Sequence, residues 1–308
     1  MIGYIDSSSF PVYTYGEIVA GGDPLYYYMC WSPSDIQGSF FVEGKVDYFS
    51  NYSGYYIFSE YNVIYSSTLQ SAAFSYFKTN VEMVYKSAFY TCPNLTTVIM
   101  PNCKRVGIGA FYYCFSLNYV SIPVCTMIME KAFYNNSNLT EIYMPSVALV
   151  SYSAFEQCSH LKRLDAPMLG LIYDGAFYRC YSLSEISIPN CTSIGSAAFM
   201  SCTMLSSIYL PLCKSIQTGG FGGCKNLETV NLPCCSFLGS GAFAGCTSLN
   251  TITLGWSSVC DIFYSLVFNK TGITSSTGSI FVPSSLVSSY KSATYWSYFS
   301  DRIYPINN

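Results

Sequence analysis

Eight phenylalanines recur at one fixed interval: Phe89, Phe111, Phe133, Phe155, Phe177, Phe199, Phe221 and Phe243 lie 22 residues apart without a single insertion. The residue before each is Ala, apart from Gly220. Six positions after each Phe comes Leu, from Leu95 to Leu249. Nine positions after comes Val98, Val120, Ile142, Leu164, Ile186, Ile208, Val230 or Ile252. Twelve positions after comes Pro, from Pro101 to Pro233, with Gly255 in the eighth unit. A fixed period of this length means stacked, near-identical units, each touching only its neighbours, and excludes a fold wrapped around one central core.

The spacing within a unit gives its local structure. In Leu95-Thr-Thr-Val98-Ile-Met100-Pro101, Val98 and Met100 alternate with Thr97 and Ile99, the period of a strand. Pro101 has no N–H to donate to a ladder and ends the pairing. The small-Ala-Phe-x-x-Cys segment that follows is too short for a helix and predicts a turn or a single helical turn. One unit cannot bury its own Phe and Leu, so stability comes from the interfaces between coils. Charged residues are 10% of the chain, where about 25% is usual, because most positions in a coil are interior or meet the next coil.

Gly175-Ala-Phe-Tyr-Arg-Cys180-Tyr-Ser-Leu183-Ser-Glu-Ile186-Ser-Ile188-Pro189, completed by Ile194-Gly195-x-x-Ala198-Phe199, resembles the BspA-like leucine-rich repeat. The resemblance runs over roughly Val84 to Leu254, departing from the pattern at Asn136, Ala166 and Gly255. It implies a mostly-β leucine-rich-repeat solenoid of eight in-phase 22-residue coils, with a parallel sheet on the concave face, short turns or helical turns on the convex face, and terminal caps. Members of this family are typically surface proteins of bacteria and some protists, and those with assigned roles act in adhesion. The resemblance therefore implies a non-catalytic, adhesin-like binding protein, extracellular or at the cell surface. Its partner is expected to be a protein or glycan of a host or neighbouring cell.

Three regions are expected. Residues 67–262 form the solenoid. Residues 263–308 form a degenerate last coil, carried by Ile280-Phe-Val282-Pro283, and a capping helix opened by Ser284-Ser285 with Leu286, Tyr290, Ala293 and Trp296 at near-helical spacing. Residues 1–66 read as a Tyr-rich N-terminal cap or a small β domain. There Phe40 to Phe49 and Tyr55 to Tyr65 alternate like strands around the turn signal Asn51-Tyr-Ser-Gly54, and Ser67 to Lys78 predicts a short helix. The first basic residue is Lys45, so the charged start of a signal peptide is not in the chain. Either the protein begins here or a leader has been removed.

A net charge of −3 with 14 basic residues argues against nucleic acid, whose phosphates call for clustered Lys and Arg. The longest apolar run, Leu25 to Trp31, is seven residues, against the 18 or so of a membrane span. Of the 15 cysteines, seven follow Phe by three positions (Cys92, Cys114, Cys158, Cys180, Cys202, Cys224 and Cys246). Five more follow by fourteen (Cys103, Cys125, Cys191, Cys213 and Cys235), a slot filled elsewhere by Val147 and Leu169. With no Cys-x-x-Cys pair, a metal site is not predicted. Side chains at equivalent positions point the same way, so a ladder of buried thiols acting as small hydrophobes is expected rather than bridges.

No catalytic or cofactor-binding residue is predicted. The single histidine, His160, falls in a turn, and no Ser-His-acid set can be built on it. Phe221-Gly-Gly-Cys224 is a repeat turn rather than a phosphate loop. Asp23, Asp35, Glu43, Asp47 and Glu60 are the carboxylates from which a hydrolase in the N-terminal region would be built, and that stays an alternative, as does a passive scaffold or spacer. Sequons at Asn94, Asn138 and Asn190 matter only on a eukaryotic secretory route.

Strand residues eight and ten positions after each Phe point away from the core and, at the strand spacing, line a face about 38 Å long. Tyr119, Glu141, Tyr143, Arg163, Asp165, Glu185 and Tyr209 cluster in five consecutive coils of it and are the predicted partner-binding residues. Tyr and Arg dominate binding energy at interfaces. Exposed strand positions favour Tyr and Thr in any case, which leaves a purely structural reading open.

Overall fold

Each coil holds a long strand, a turn through the Pro, a two-residue strand, and a turn through the Phe. The computed structural model describes residues 82–84, 86–275 and 277–306, together with the strands Gly3–Ile5, Gln37–Val42, Val63–Ile64 and Ala73–Thr79. The chain divides into two compact units, Met1–Pro145 and Ser146–Asn308, each a parallel-sheet solenoid with few helices.

In the first unit the strands Thr97–Ile99, Tyr119–Ser121 and Glu141–Tyr143 pair in parallel, with Thr97 opposite Tyr119 and Tyr119 opposite Glu141. Ala73–Thr79 adds to the Thr97–Ile99 edge, followed by Gln37–Val42 and Gly3–Ile5. Ala73–Thr79 corrects the short helix expected over Ser67 to Lys78. Phe, Tyr and Thr suit a strand, and the open edge at Thr97–Ile99 supplies the backbone partners that a marginal helix lacks. The expected strands over 40–49 and 55–65 lie outside the described residues beyond the backbone at 40–42 and 63–64. In the second unit Arg163–Asp165 pairs with Glu185–Ser187, while Ser207–Tyr209, Thr229–Leu232, Thr251–Leu254, Ser279–Val282 and Ile303–Pro305 make a five-stranded parallel sheet.

A second ladder of two-residue strands was not foreseen. In the first unit it runs through Met83–Val84, Arg105–Val106 and Met127–Ile128, and in the second from Leu149–Val150 to Asp261–Ile262. Its signal is a buried aliphatic five positions before each Phe, such as Val106, Ile172 or Leu238.

The core is a pile of identical rings. Phe89–Phe111 and Phe111–Phe133 stack at 4.8 and 5.1 Å, both within 3° of parallel. In the second unit Phe155, Phe177, Phe199 and Phe221 stack at 5.2, 5.1 and 5.0 Å. Within each unit Phe N–H groups donate to a carbonyl one coil on, as from Phe177 to Ala198 at 2.7 Å. The turn around the Phe needs a left-handed residue on either side. Two positions before it stand Ser87, Gly109, Lys131, Ser153, Gly175, Ala197, Gly219 and Gly241, and two after it Thr91, Tyr113, Asn135, Gln157, Arg179, Ser201, Gly223 and Gly245, all with positive φ. At Gly195 the demand is proximity, since a Cβ there would lie 2.5 Å from the Tyr173 carbonyl carbon.

The thiols turn out to be more than small hydrophobes. Cys180, Cys202, Cys224 and Cys246 each donate from Sγ to the Phe carbonyl of the preceding coil at 3.1–3.4 Å, as Cys114 does to Phe89 at 3.0 Å. The second set donates two residues along, as from Cys191 to the Ser193 carbonyl. Among the described residues every cysteine is a free thiol, and all but Cys234 are buried. Burial pushes the thiols of Cys180, Cys202 and Cys213 up, and that of Cys191 to about 12. Asn136 stands where other coils have this cysteine; it is fully buried, and neither its Oδ1 nor its Nδ2 has a hydrogen-bond partner.

At the C-terminal end the single capping helix is replaced by shorter pieces. A 3-10 turn over Ser284–Leu286 leads into the α-helix Val287–Ser292, and a second 3-10 segment spans Trp296–Arg302. Neither helical start carries a side-chain cap, and Tyr295 breaks the path in the left-handed region at φ 64°. Two buried side chains fix this route against Cys260: its N–H donates to Tyr290 Oη at 2.9 Å, and Trp296 Nε1–H donates to its carbonyl at 2.6 Å.

Candidate functional site

Alternation along the long strands places the expected residues. In the first unit Glu141 and Tyr143 flank buried Ile142 and point outward, Tyr143 being 54% exposed, while Tyr119 is half-buried in the adjoining strand opposite Glu141. In the second unit Arg163 and Asp165 flank buried Leu164, and Glu185 lies directly opposite Arg163. The guanidinium sits 3.6 Å from Asp165 Oδ2 and 3.8 Å from Glu185 Oε2. All three side chains are more than half exposed, so water screens these contacts and they contribute about 1 kcal/mol at most. Their net charge is −1. Tyr209, 60% exposed, belongs to the five-stranded sheet and faces Asn231 across the ladder. Within the first unit the fold thus brings together Tyr119, Glu141 and Tyr143. Within the second it brings together Arg163, Asp165 and Glu185, with Tyr209 in a separate sheet.

Nothing in these two groups is arranged for bond making. The first offers two tyrosine rings and a carboxylate, and the second a guanidinium already shared between two acids. Such a surface suits reversible recognition. His160 is exposed in its turn, with Nδ1 3.3 Å from the hydroxyl of adjacent Ser159. Asp23, Asp35, Glu43, Asp47 and Glu60 lie outside the described residues. Among the described residues no group of three His, Cys, Asp or Glu side chains has metal-binding geometry, and no helix is long and apolar enough to cross a membrane.

Two features escaped the sequence reading. The position after each Phe carries Tyr90, Tyr112 and Tyr134, which stack at 5.0 and 4.8 Å into a second aromatic pile on the outer turns of the first unit. Its signal was the same 22-residue register. The other is a pair of adjoining clefts at the C-terminal end, about 480 and 410 Å³, both bordered by Asn269 and Thr274. No periodic signal could have found these, because they lie where the repeat stops.

Among curated proteins none matches the chain. A solved leucine-rich repeat protein from Bacteroides ovatus ATCC 8483 is 19% identical, with 80% of this chain and 71% of that one covered at a TM-score of 0.54, a likeness of fold. A leucine rich cell surface protein from Faecalibacterium prausnitzii A2-165 is also 19% identical, over 98% of this chain and 97% of that one, with a TM-score of 0.40. The model of the BspA type leucine rich repeat region matches in six copies over residues 59–169 and 170–297. That span takes in every coil whose rings and thiols are stacked above, and the chain belongs to the BspA-type leucine-rich repeat family.

Proposed function

We propose that this chain is a non-catalytic, adhesin-like binding protein, displayed outside the cell or at its surface, that recognises a protein of a host or neighbouring cell through its long-strand face. The observation that carries the reading is the pattern of side chains on that face. Tyr143 and Tyr209 are more than half exposed on strands whose inward residues are fully or nearly fully buried, and Arg163 stands beside Asp165 and Glu185. Exposed aromatic and Arg side chains on a rigid sheet lose little conformational freedom on binding and tend to dominate interface energies. The extracellular location rests on the family, whose members are typically surface-associated, and the family is typically non-catalytic.

The test is an immobilised-ligand screen over host matrix proteins and glycans with the full chain and a Tyr143→Ala/Arg163→Ala double variant. A protein ligand whose affinity falls about tenfold or more in the double variant supports the reading. A ligand retained at full affinity moves recognition elsewhere. Silence across the panel favours a scaffold that uses the solenoid for reach alone.

A further inference from the structure

Unlike the strand face, the two clefts at the C-terminal end are non-repeating, and they are shallow and open to solvent. The first is lined by Thr247, Asn269, Lys270, Thr271, Thr274 and Ser275. The second adds Tyr298, Phe299, Asp301 and Arg302 to the shared Asn269 and Thr274. Each falls in the range of about 300–1,000 Å³ typical of small-molecule sites.

The chemistry of the lining is specific. Tyr298 is the most exposed large aromatic described, at 74%, and sits beside Phe299, which is 5% exposed and anchored in edge-on contact with Phe268. A flat, partly apolar ring thus projects at the rim from a residue whose chain neighbour is buried. The hydroxyl protons around the clefts are already committed inward. Thr247 Oγ1 donates to the Lys225 carbonyl, Thr271 Oγ1 to Phe268, and Ser275 Oγ to Gly272. An oxygen that donates inward keeps lone pairs to accept from a ligand hydroxyl. Asn269 supplies a side-chain amide with both capacities. Among the described residues neither Lys270 nor Arg302 has an ion-pair partner, and Asp301 is the one carboxylate in the lining. Lys270, at φ 59°, takes the left-handed position two residues after Phe268 that its counterparts take after the Phe of every coil.

An aromatic plate, outward-facing acceptors and an excess of unpaired cations match a ligand that is ringed, rich in hydroxyls and anionic. We propose that the paired clefts bind an acidic saccharide, with one ring against Tyr298, hydroxyls donating to Asn269, Thr247, Ser275 and Asp301, and a sugar carboxylate held by Arg302 or Lys270. Guanidinium and carboxylate form a charge-assisted, bidentate pair, which makes Arg302 the specificity element. This site is separate from the strand face and does not depend on the reading given for it.

The test applies the full chain to an array of neutral and acidic oligosaccharides, including uronic and sialic acid forms. Selective binding to acidic saccharides is expected. Tyr298→Ala should weaken it at least tenfold, and Tyr298→Phe should retain it. A Lys270→Gln/Arg302→Gln variant should bind acidic and neutral forms alike. Unchanged circular dichroism shows that these surface variants still fold, and Tyr143→Ala/Arg163→Ala should leave saccharide binding unaffected. No binding to any acidic saccharide overturns the proposal. So does binding that survives Tyr298→Ala, or binding lost only in the strand-face variant, which would assign the sugar to that face.

Discussion

From Phe155 to Phe221 the core rings repeat every 5.0–5.2 Å and lie within 4–6° of parallel. Past Phe243 the spacing opens to 6.1 Å at Phe268, and Phe268 then meets Trp296 and Phe299 at 52° and 84°. Both regions bury large aromatics and must satisfy the backbone groups at their edges. The coils do so by translation, because backbone N–H groups find carbonyls one coil away and thiols such as Cys180 and Cys202 find the Phe carbonyl of the preceding coil. Where the repeat pattern stops, two side chains, Tyr290 and Trp296, take that role on Cys260. A repeat can satisfy itself with small residues such as Cys and Ala, whereas its end needs large polar-tipped aromatics.

The largest expected difference between the two regions is their response to alkali. Burial raises the pKa of the Cys180, Cys191, Cys202 and Cys213 thiols, so for these the protonated thiol is favoured in the folded state and the thiolate in the unfolded one. Their contribution to stability is complete below the unfolded value, about 8.5, and is lost as pH rises from there towards about 12, the folded value of Cys191. Each such thiol removes about 1.4 kcal/mol per pH unit in that window. At the C-terminal end the raised groups are the Cys260 thiol, held up by its hydrogen bond with Cys235, and the Tyr290 phenol, whose loss begins only near pH 10, so the coils, with four raised thiols, should give way first. Urea midpoints at pH 7.5 and 10 should fall steeply for wild type and less so for Cys191→Ala.

Phe199→Ala in the stack and Trp296→Ala at the end should each cost about 3–5 kcal/mol. They should do so differently. The first damages coils on both sides, and the second exposes the last coil first, which native-state hydrogen exchange resolves. Equal loss of protection along the whole second unit in both variants would erase the distinction. Asn136 breaks the ladder from within. Asn136→Cys restores the donor to the Phe carbonyl and removes two unpaired buried atoms, and should raise stability by about 1–3 kcal/mol in a denaturant titration. Smaller still, Gly245→Ala places a Cβ at φ 76° and should cost about 1–2 kcal/mol, though its neighbours leave room for the methyl group.

The same contrast decides what was legible in advance. Phe177, Leu183, Ile186 and Pro189 recur in register, so strand, turn and buried face follow from spacing. The thiol hydrogen bonds did not, because a cysteine slot shared with Val147 and Leu169 reads as merely apolar, and the donor geometry depends on where the neighbouring coil puts its carbonyl. Ser284-Ser285 looked like an N-cap, yet the pull of Cys260 on Tyr290 and Trp296 decides the path there over local propensity. Outward positions such as Tyr143 and Arg163 were readable from alternation alone. The clefts around Asn269 and Arg302 arise from the meeting of segments that share no period.

Recognition by the strand face, independent of the ladder beneath it, is tested most directly by removing the whole outward set. A chain with Tyr119, Glu141, Tyr143, Arg163, Asp165, Glu185 and Tyr209 all replaced by Ala should melt within about 5 °C of wild type, since such positions contribute little to folding. It should lose all binding to any protein that captures the wild-type chain in the ligand screen. Binding that persists at wild-type affinity in this folded variant would contradict the account.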